Sequence, residues 1–428
     1  MRKTAYFASA AVMAIAAGLA QPALAQDAST APQEATALEE IVVTAQRREQ
    51  GLQEVPIAVT AFSAETLERT NATGLNDIAG KAPGVTLTQF NIGEPQIYIR
   101  GVGTTNDSAA SDPSIGVSID EVPIGRAGAS SLAFLDLERV EILRGPQGTL
   151  YGRNASGGAI NVYTKAPAFD RFTQLTARAG SFGEYGVEGI FNTELGEGAA
   201  GRLAFRYNTN DGYAENVPTG RGLEGGSTFG LRGQYLHQFD KVRILLGADY
   251  SKDDQDGHAR IPVTTSATAP AFVALINSLR AGLDVRQSFS SADNYQNREN
   301  WGLTSRIEYE AEAFDFISLT SYRDNDYGWR DNLGGLTFPA FPLLVDDRAD
   351  EVASQFSQEF RLTSNDRSPF QWVAGVFYFN EQIDRSETFI TQTALPIAPP
   401  SFGGDVTFLQ DATNSSYAAF GQATFEFA

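Results

Sequence analysis

From residue 172 onward the sequence alternates apolar and polar residues in runs that are separated by connections of very unequal length. In one such run Leu203, Phe205 and Tyr207 occupy every second position. Because the side chains of a β-strand point alternately to opposite faces, each run predicts a strand with one apolar face. We count about ten such strands of about ten residues, which is typical of a membrane β-barrel. Similar runs lie at residues 229–235, 242–250, 303–309, 356–362, 373–379 and 419–427.

The connections between these predicted strands are alternately short and long. Short connections lie near residues 196–198, 240–241, 311–313 and 367–369, and long ones at 214–226, 258–296, 328–350 and 387–413. Membrane barrels have short turns on one side of the membrane and long loops on the other, whereas a soluble sandwich or propeller has no reason to alternate. No internal segment has the apolar length of a membrane helix, so a chain of this kind would span a membrane as a β-barrel.

The N-terminus has the features of a secretory signal peptide. Arg2 and Lys3 precede an apolar run at residues 8–20, and Ala23 to Ala25 form an Ala-x-Ala cleavage site. This pattern predicts a signal peptide at residues 1–25, removed on export. The next residues, 26–38, are small and polar and predict a flexible linker.

Composition excludes several classes of function. The chain has no cysteine, two histidines and a formal net charge of −20. The absence of thiols excludes thiolate metal sites, and His237 and His258 are too far apart in sequence to suggest a metal site. Three aspartates at 253, 254 and 256 fail the spacing of a calcium loop. A strongly acidic chain argues against nucleic-acid binding. We find no catalytic constellation, and we expect neither an enzyme nor a cofactor or metal.

Residues 135–165 contain five glycines within 14 residues, flanked by two apolar runs that resemble strands. Glycine adopts positive φ at little cost, so this segment predicts tight turns inside a small domain. A phosphate-binding loop would need Lys and Ser or Thr after Gly152, where Arg153 and Asn154 stand. One helix is predicted after Ser63, with Thr66 in its first turn, and a second around residues 75–79. Residues 51–167 therefore predict a mixed α/β domain.

Several motifs of this region occur in an order that resembles the plug domain of TonB-dependent outer-membrane receptors. They are Pro-Ile-Ala-Val-Thr from Pro56, Ala-Pro-Gly-Val from Ala82, Ile-Arg-Gly from Ile99, Asp-Glu-Val-Pro from Asp120 and Leu-Arg-Gly-Pro-Gln-Gly-Thr-Leu-Tyr-Gly from Leu143. The resemblance implies a mainly β fold: a transmembrane antiparallel β-barrel with a small α/β plug domain inside. We expect a signal peptide at 1–25, a flexible N-terminus with a TonB box at 26–50, the plug at 51–167 and a barrel at 168–428.

About ten strands are too few for a barrel that encloses a plug. Outer-membrane transporters with a plugged lumen have about 22 strands. We therefore expect the 428 residues to hold the plug and an incomplete barrel.

The resemblance also implies a function and a location. The family imports a scarce ligand, most often a ferric siderophore, across the outer membrane of Gram-negative bacteria. Its implied partners are TonB, with ExbB–ExbD of the inner membrane, the small-molecule ligand and outer-membrane lipid. A non-iron ligand (a glycan, a cobalamin-like cofactor or a small organic molecule) is an open alternative. A signal-transducing receptor is another, although that subset has an extra folded domain before its TonB box, and only residues 26–38 precede it here.

The TonB box is expected at the β-prone stretch that follows the linker. By resemblance we assign it to Glu40, Ile41, Val42, Val43, Thr44 and Ala45. Such a segment would pair with TonB by β-strand addition, since a row of main-chain hydrogen bonds resists shear. The alternative is that this stretch is simply the first strand of the next domain.

Two further sets of residues are expected to act in the receptor. If Phe360 and Leu362 face lipid, Glu359 faces the lumen, where a buried charge needs a partner. We expect that partner to be Arg100 or Arg144 of the Ile-Arg-Gly and Leu-Arg-Gly motifs. Ligand contacts at the plug apex are expected from Asn106, Asp107, Ser108 and Asp112.

Overall fold

The computed structural model describes residues 42–44, 47–48, 50–53, 55–89, 95–106, 108–130, 134–261, 270–290, 293–332, 343–365, 369–393, 403–425 and 427. The expected signal peptide and linker, and the expected site residues Glu40, Ile41, Ala45 and Asp107, lie outside the described residues. No helix in the described ranges is long and apolar enough to cross a membrane.

The first part of the described chain, through Thr164, forms a small α/β domain. Its strands are β1 (Val42–Val43), β2 (Gln50–Gly51), β3 (Ala58–Ser63), β4 (Val85–Gln89), β5 (Pro95–Ile99), β6 (Val102–Gly103), β7 (Ile115–Ile119), β8 (Val122–Ile124), β9 (Leu137–Arg144) and β10 (Gly158–Thr164). Its helices are α1 (Ala64–Arg69), α2 (Leu75–Ala79), α3 (Ala127–Ser130) and α4 (Gly148–Tyr151). The hydroxyl of Ser63 accepts from the N–H of Thr66 at 3.3 Å and caps α1, as the sequence predicts.

A five-stranded sheet in the order β3-β9-β10-β7-β8 is the centre of this domain. Strand β9 is antiparallel to both β3 and β10, and β10 is parallel to β7. Every residue of β10 is buried, so this strand is covered on both faces. The sheet packs against α1 and α2 through one apolar cluster that includes Phe62, Leu67, Ile78, Val140 and Ile160. Burial of each such side chain contributes about 1.5–3 kcal/mol, which makes this cluster the main source of stability for the domain.

The rest of the chain forms a ten-stranded antiparallel sheet, in which consecutive long strands are neighbours. These strands are β11 (Phe172–Ala179), β12 (Tyr185–Gly196), β13 (Ala199–Asn210), β16 (Gly226–Phe239), β17 (Val242–Gln255), β19 (Tyr295–Glu310), β20 (Phe314–Asn332), β21 (Leu343–Ser364), β22 (Phe370–Thr393) and β23 (Gly403–Phe425). Short strands β14 (Ala214–Asn216), β15 (Arg221–Leu223) and β18 (Gln287–Ser288) and helix α5 (Pro270–Leu279) lie in the long connections. The number of long strands confirms the count expected from the sequence.

Several strands extend further than the sequence pattern predicts. Strands β21, β22 and β23 contain 22, 24 and 23 residues, where about ten were expected for each. The connections predicted at 328–350 and 387–413 are therefore wrong in length, because β20 continues to Asn332 and β22 to Thr393. The alternation that marks a lipid-facing strand stops where the strand leaves the apolar layer, although its backbone pairing continues.

The ten-stranded sheet has an apolar outer face and a polar inner face. Phe360 is 45% exposed, whereas its neighbours Glu359 and Arg361 are 4% and 1% exposed. Soluble proteins show the reverse arrangement, with charged residues outside and aromatic ones buried. This inversion is the property expected of a barrel wall that faces lipid outside and a plug inside.

The α/β domain lies against the inner face of this wall. Arg202 of β13 pairs with Asp136, with Nε 2.5 Å from Oδ2, and the Arg232 side chain donates to the carbonyl of Leu135 at 2.6 Å. Further along the wall, the Gln355 amide donates to the carbonyl of Pro123 at 2.5 Å. Contacts spread over several wall strands place the α/β domain where a plug would lie.

Candidate functional site

The segment expected to be a TonB box is docked on the plug in the part that the structure describes. Strand β1 pairs antiparallel with β2, with Val42 opposite Gly51 and Val43 opposite Gln50. The side chain of Val43 is fully buried in a small apolar cluster with Leu143 and Ala159, whereas Val42 is 46% exposed. One face of β1 therefore packs against residues of the glycine-rich stretch 135–165.

Thr44, the next residue, is bonded to two charged side chains of β9. Its backbone N–H donates to Oε1 of Glu141 at 2.9 Å, and the Arg139 guanidinium donates to its hydroxyl at 3.0 Å. Arg139 also donates to the same Glu141 oxygen through Nε at 2.8 Å. Burial raises the pKa of the Glu141 carboxyl, although the bonds from Thr44 and Arg139 act in the opposite direction.

Two tyrosines complete the surroundings of Thr44. The hydroxyls of Tyr163 and Thr44 lie 2.5 Å apart, and the Tyr151 hydroxyl donates to the carbonyl of Thr44 at 3.3 Å. Burial raises the pKa of both tyrosines well above their ordinary value, so both are neutral at physiological pH. Thr44 is therefore bonded at its N–H, carbonyl and hydroxyl. We call Arg139, Glu141, Tyr151 and Tyr163 the Thr44 cradle.

Arg47, three residues further on, joins the same segment to the barrel wall. Its guanidinium lies 3.1 Å from Oε2 of Glu121 in the plug and 3.8 Å from Oε2 of Glu359 in β21. It also lies over the Tyr151 ring, 4.7 Å from the centroid. Arg47 is thus the point at which the N-terminal segment, the plug and the wall meet.

Glu121 is the centre of this ionic cluster. Arg361 donates to its Oε2 at 2.6 Å, and Arg306 lies 3.4 Å from its Oε1. Burial by itself would raise the pKa of Glu121, but Arg361, Arg306 and Arg47 together outweigh it and hold the pKa well below its usual range. Glu121 also has a positive φ of 70°, a strained conformation that the surrounding bonds maintain. We call Arg47, Glu121, Arg306, Glu359 and Arg361 the seam cluster.

The seam cluster corrects the expected partners of Glu359. Glu359 pairs with Arg361 at 2.9 Å and with Arg47, not with Arg100 or Arg144. Arg100 lies in an exposed turn with a φ of 53°, and its N–H donates to the carbonyl of Gly84 at 2.7 Å. Arg144 donates to the carbonyl of Pro83 at 3.2 Å, inside the plug. Glu359 does face the lumen, as the alternation predicts.

The expected ligand residues lie in the plug loop before β7, and three of them are described. Asn106 accepts from the N–H of Ser108 at 3.0 Å within the loop, and the carbonyl of Ser108 accepts from Arg126 at 3.4 Å. Asp112 pairs with Arg153 and accepts from Asn414 of β23 at 3.3 Å. These bonds attach the loop to its own domain and to the wall. A role in ligand binding stays a prediction.

A cavity of about 370 Å³ lies between the plug and strands β21 to β23. The ionic groups Arg47, Glu121 and Glu359 line it, together with Arg153 and the rings of Phe377 and Phe379. Arg153 lies over the Phe379 ring at 4.7 Å. The seam cluster therefore lines an open space between plug and wall.

The sequence predicts a TonB box in the N-terminal segment, which stays a prediction, but it does not predict the cradle or most of the seam cluster. Glu141 and Arg139 gave a signal that was not used: two charges within an apolar strand flanked by Val140 and Ile142. Arg47 gave no such signal, because nothing in its local sequence indicates a partner more than 300 residues away.

Comparison with known proteins agrees with this architecture. Residues 51–159 match the family model of the TonB-dependent receptor plug domain. The chain is 29% identical over 175 residues to the vitamin B12 transporter BtuB of Photobacterium profundum, which covers 41% of this chain and 28% of that protein. It is 26% identical over 367 residues to the pesticin receptor of Yersinia enterocolitica, which covers 85% of this chain and 50% of that protein.

Solved structures show the same fold. The ferric yersiniabactin uptake receptor FyuA of Yersinia pestis superposes with a TM-score of 0.71 at 20% identity, covering 86% of this chain and 54% of that one. The ferripyoverdine receptor FpvA of Pseudomonas aeruginosa, with a bound pyoverdine, gives a TM-score of 0.73 at 16% identity, covering 90% and 52%. The chain thus spans about half the length of these structures.

The fold is that of a plug domain against an antiparallel barrel wall, and the relatives that share it are outer-membrane receptors and transporters of Gram-negative bacteria, not enzymes. More specifically, residues 51–159 are a TonB-dependent receptor plug domain, and the rest of the chain has the fold of the barrel of such receptors.

Proposed function

We propose that this protein imports a scarce ligand across the outer membrane, using energy delivered by TonB to the segment around Val42–Thr44. The observation that carries the proposal is the path of contacts that starts at this segment. Thr44 is bonded to the plug through the cradle, and Arg47 reaches both Glu121 of the plug and Glu359 of the wall.

A pull on this segment would act first on the seam cluster. Displacing Arg47 would remove one of three cations around Glu121 and leave Glu359 with Arg361 as its partner. Because the cavity between plug and wall is lined by the same groups, loosening them would widen that space. The geometry thus offers a route by which force at the N-terminal segment opens the seam.

The partner is tested with a purified periplasmic fragment of TonB and a synthetic peptide of residues 38–47. We expect the fragment to bind the peptide in a calorimetric titration and to ignore a scrambled peptide of the same composition. A peptide that gives no heat under conditions in which an unrelated TonB box peptide binds would count against this partner.

We propose a ferric siderophore as the ligand. Relatives that cover most of the chain support this choice, because the FyuA and FpvA structures are named as receptors for ferric yersiniabactin and ferripyoverdine. BtuB supports a cobalamin instead, but its matches cover 41% to 50% of the chain. Quenching of tryptophan fluorescence by ferric yersiniabactin, by ferripyoverdine and by cyanocobalamin separates the two. Saturable quenching by cyanocobalamin alone would favour the second ligand class.

A further inference from the structure

Glu141 is an ionisable residue at a fully buried position, where a charged side chain is unfavourable. It lies in the central strand β9 between Val140 and Ile142, and all three side chains are fully buried. An ionisable group in such a place costs free energy unless hydrogen bonds compensate for lost water. An apolar residue would pack into the sheet without this cost in free energy. We therefore expect the role of the carboxyl to lie in its contacts outside the sheet.

The hydrogen bonds of Glu141 depend on the N-terminal segment. Its Oε1 accepts from the N–H of Thr44 at 2.9 Å, from the Thr44 hydroxyl at 3.4 Å and from Arg139 at 2.8 Å. Its Oε2 is buried and has no hydrogen-bond partner among the described residues. Two of the three bonds that compensate for its burial therefore come from Thr44.

Among the described residues, the backbone of the segment pairs with the plug only through a short ladder. Strand β1 has two residues, and its ladder pairs them with only two residues of β2. A two-residue ladder is too short to be stable by itself. Side-chain bonds to Thr44 therefore hold the segment together with the burial of Val43 and the ion pairs of Arg47.

We propose that Glu141 is a positioning residue that holds the segment around Val42–Thr44 docked by accepting the backbone N–H of Thr44, so that loss of this bond frees the segment for capture. The inference rests on the proposed function, in which that segment is the one TonB captures. The acceptor acts on the main chain, so it operates whatever side chains occupy the segment. Capture by strand addition uses main-chain groups of this segment, so an incoming strand that pairs through the N–H of Thr44 would compete with Glu141 for it.

The experiment measures the mobility of a nitroxide attached to residue 42 by electron paramagnetic resonance, in the full chain folded in detergent micelles. The chain has no cysteine, so Val42→Cys provides a unique attachment point at a half-exposed position. We expect an immobilised spectrum for the docked segment. Glu141→Ala should increase the mobile population about tenfold or more, since a hydrogen bond to a charged acceptor is among the stronger ones.

Three variants separate positioning from a general role in the fold. Glu141→Gln keeps an oxygen that accepts the Thr44 N–H, so the spectrum should stay immobilised. Thr44→Pro removes both the N–H and the hydroxyl and leaves Glu141 intact, whereas Thr44→Val removes the hydroxyl alone. Thr44→Pro should therefore mobilise the label more than Thr44→Val does, and combining Thr44→Pro with Glu141→Ala should add little. A label at Glu68→Cys, exposed on α1, reports whether the plug stays folded.

The outcomes decide the proposal. An immobilised label in both Glu141→Ala and Thr44→Pro overturns it, and so does a mobile label in Glu141→Gln while the Glu68 label is unchanged. If Glu141→Ala also mobilises the label at residue 68, the plug itself has been disturbed. The result with Thr44→Pro then decides whether the proposal stands. Binding of TonB to peptide 38–47 is an independent result: a silent peptide with a mobilised label refutes the partner and leaves the clamp in place.

Discussion

Arg361 of the barrel wall donates to Glu121 of the plug at 2.6 Å, across 240 residues of sequence. Both side chains are almost completely buried, at 1% and 8% exposure. Removing one partner of a buried ion pair leaves the other charge without compensation, which costs far more than the pair contributes. The seam between plug and wall is therefore sensitive to single changes of charge.

The first prediction concerns Glu121→Gln, which keeps the shape of the side chain and removes its charge. Three arginines would then surround a neutral amide, and we expect the β7–β8 turn to lose about 3–5 kcal/mol of local stability. Native-state hydrogen exchange of the plug amides measures this change. Asp256→Asn is the matched control, because its pair with Arg221 is largely solvated and should change stability by at most about 1 kcal/mol. Equal effects of the two changes would contradict the role given to the seam.

A second prediction concerns pH. The pKa of Glu121 is lowered in the folded protein, because three arginines outweigh the effect of burial. A carboxyl with a lowered folded pKa contributes stability that is fully present above its ordinary pKa of about 4.3 and is lost as pH falls through the folded value. Protection of the β7–β8 amides should therefore fall below about pH 4 in the native chain. The same titration of Glu121→Gln should be flatter, and identical slopes would exclude Glu121 as the cause.

A third prediction compares two glycines, Gly148 and Gly158, of the glycine-rich stretch at residues 135–165. A Cβ at Gly158 would lie 2.4 Å from the carbonyl oxygen of Leu143 and 2.7 Å from Ile99, whereas one at Gly148 would meet nothing within 4 Å. Gly158→Ala should destabilise the plug by about 1–3 kcal/mol through overpacking. Gly148→Ala, at the start of α4, should be neutral or slightly stabilising. Thermal unfolding of the two variants measures the difference, and a destabilised Gly148→Ala with an unaffected Gly158→Ala would refute the packing.

A fourth prediction isolates the hydroxyl contact in the cradle. The hydroxyls of Thr44 and Tyr163 lie 2.5 Å apart in a buried site. Thr44→Val and Tyr163→Phe each remove one hydroxyl, and each should increase the mobile fraction of a label at residue 42. Because the two groups are partners, the double variant should cost less than the sum, with a coupling of about 0.5–3 kcal/mol. Strict additivity would mean that the two hydroxyls act separately.

The sequence predicted those features of the structure that depend on residues close together in the chain, such as strand alternation and helix capping. Alternation correctly placed Phe360 outside and Glu359 inside, and a capping pattern correctly began α1 at Ser63. Pairing was predicted wrongly, because the partner of Glu359 was sought in familiar motifs whereas Arg47 is brought to it only by the folded chain. Period-2 patterns describe one strand, and they contain no information about which distant residue lies opposite.

Site prediction failed for the same reason at Glu141. The segment around Val42–Thr44 was singled out as a β-prone stretch that resembles a TonB box, but the carboxyl that accepts the N–H of Thr44 lies 97 residues further along the chain, at Glu141. A charged residue within an apolar strand is the one local sign that such a contact exists.

The length of the last three wall strands has a consequence for how a solute first meets the protein. At about 3.4 Å per residue and a tilt of about 40°, a strand of this length rises about 60 Å, against a hydrocarbon layer of about 30 Å. On the end opposite the short turns, the inner face of this rising wall includes the buried acids Asp347 and Glu351. About half of the length of these three strands therefore stands in water, so a solute that approaches on this side first meets the part of the wall that lies outside the apolar layer.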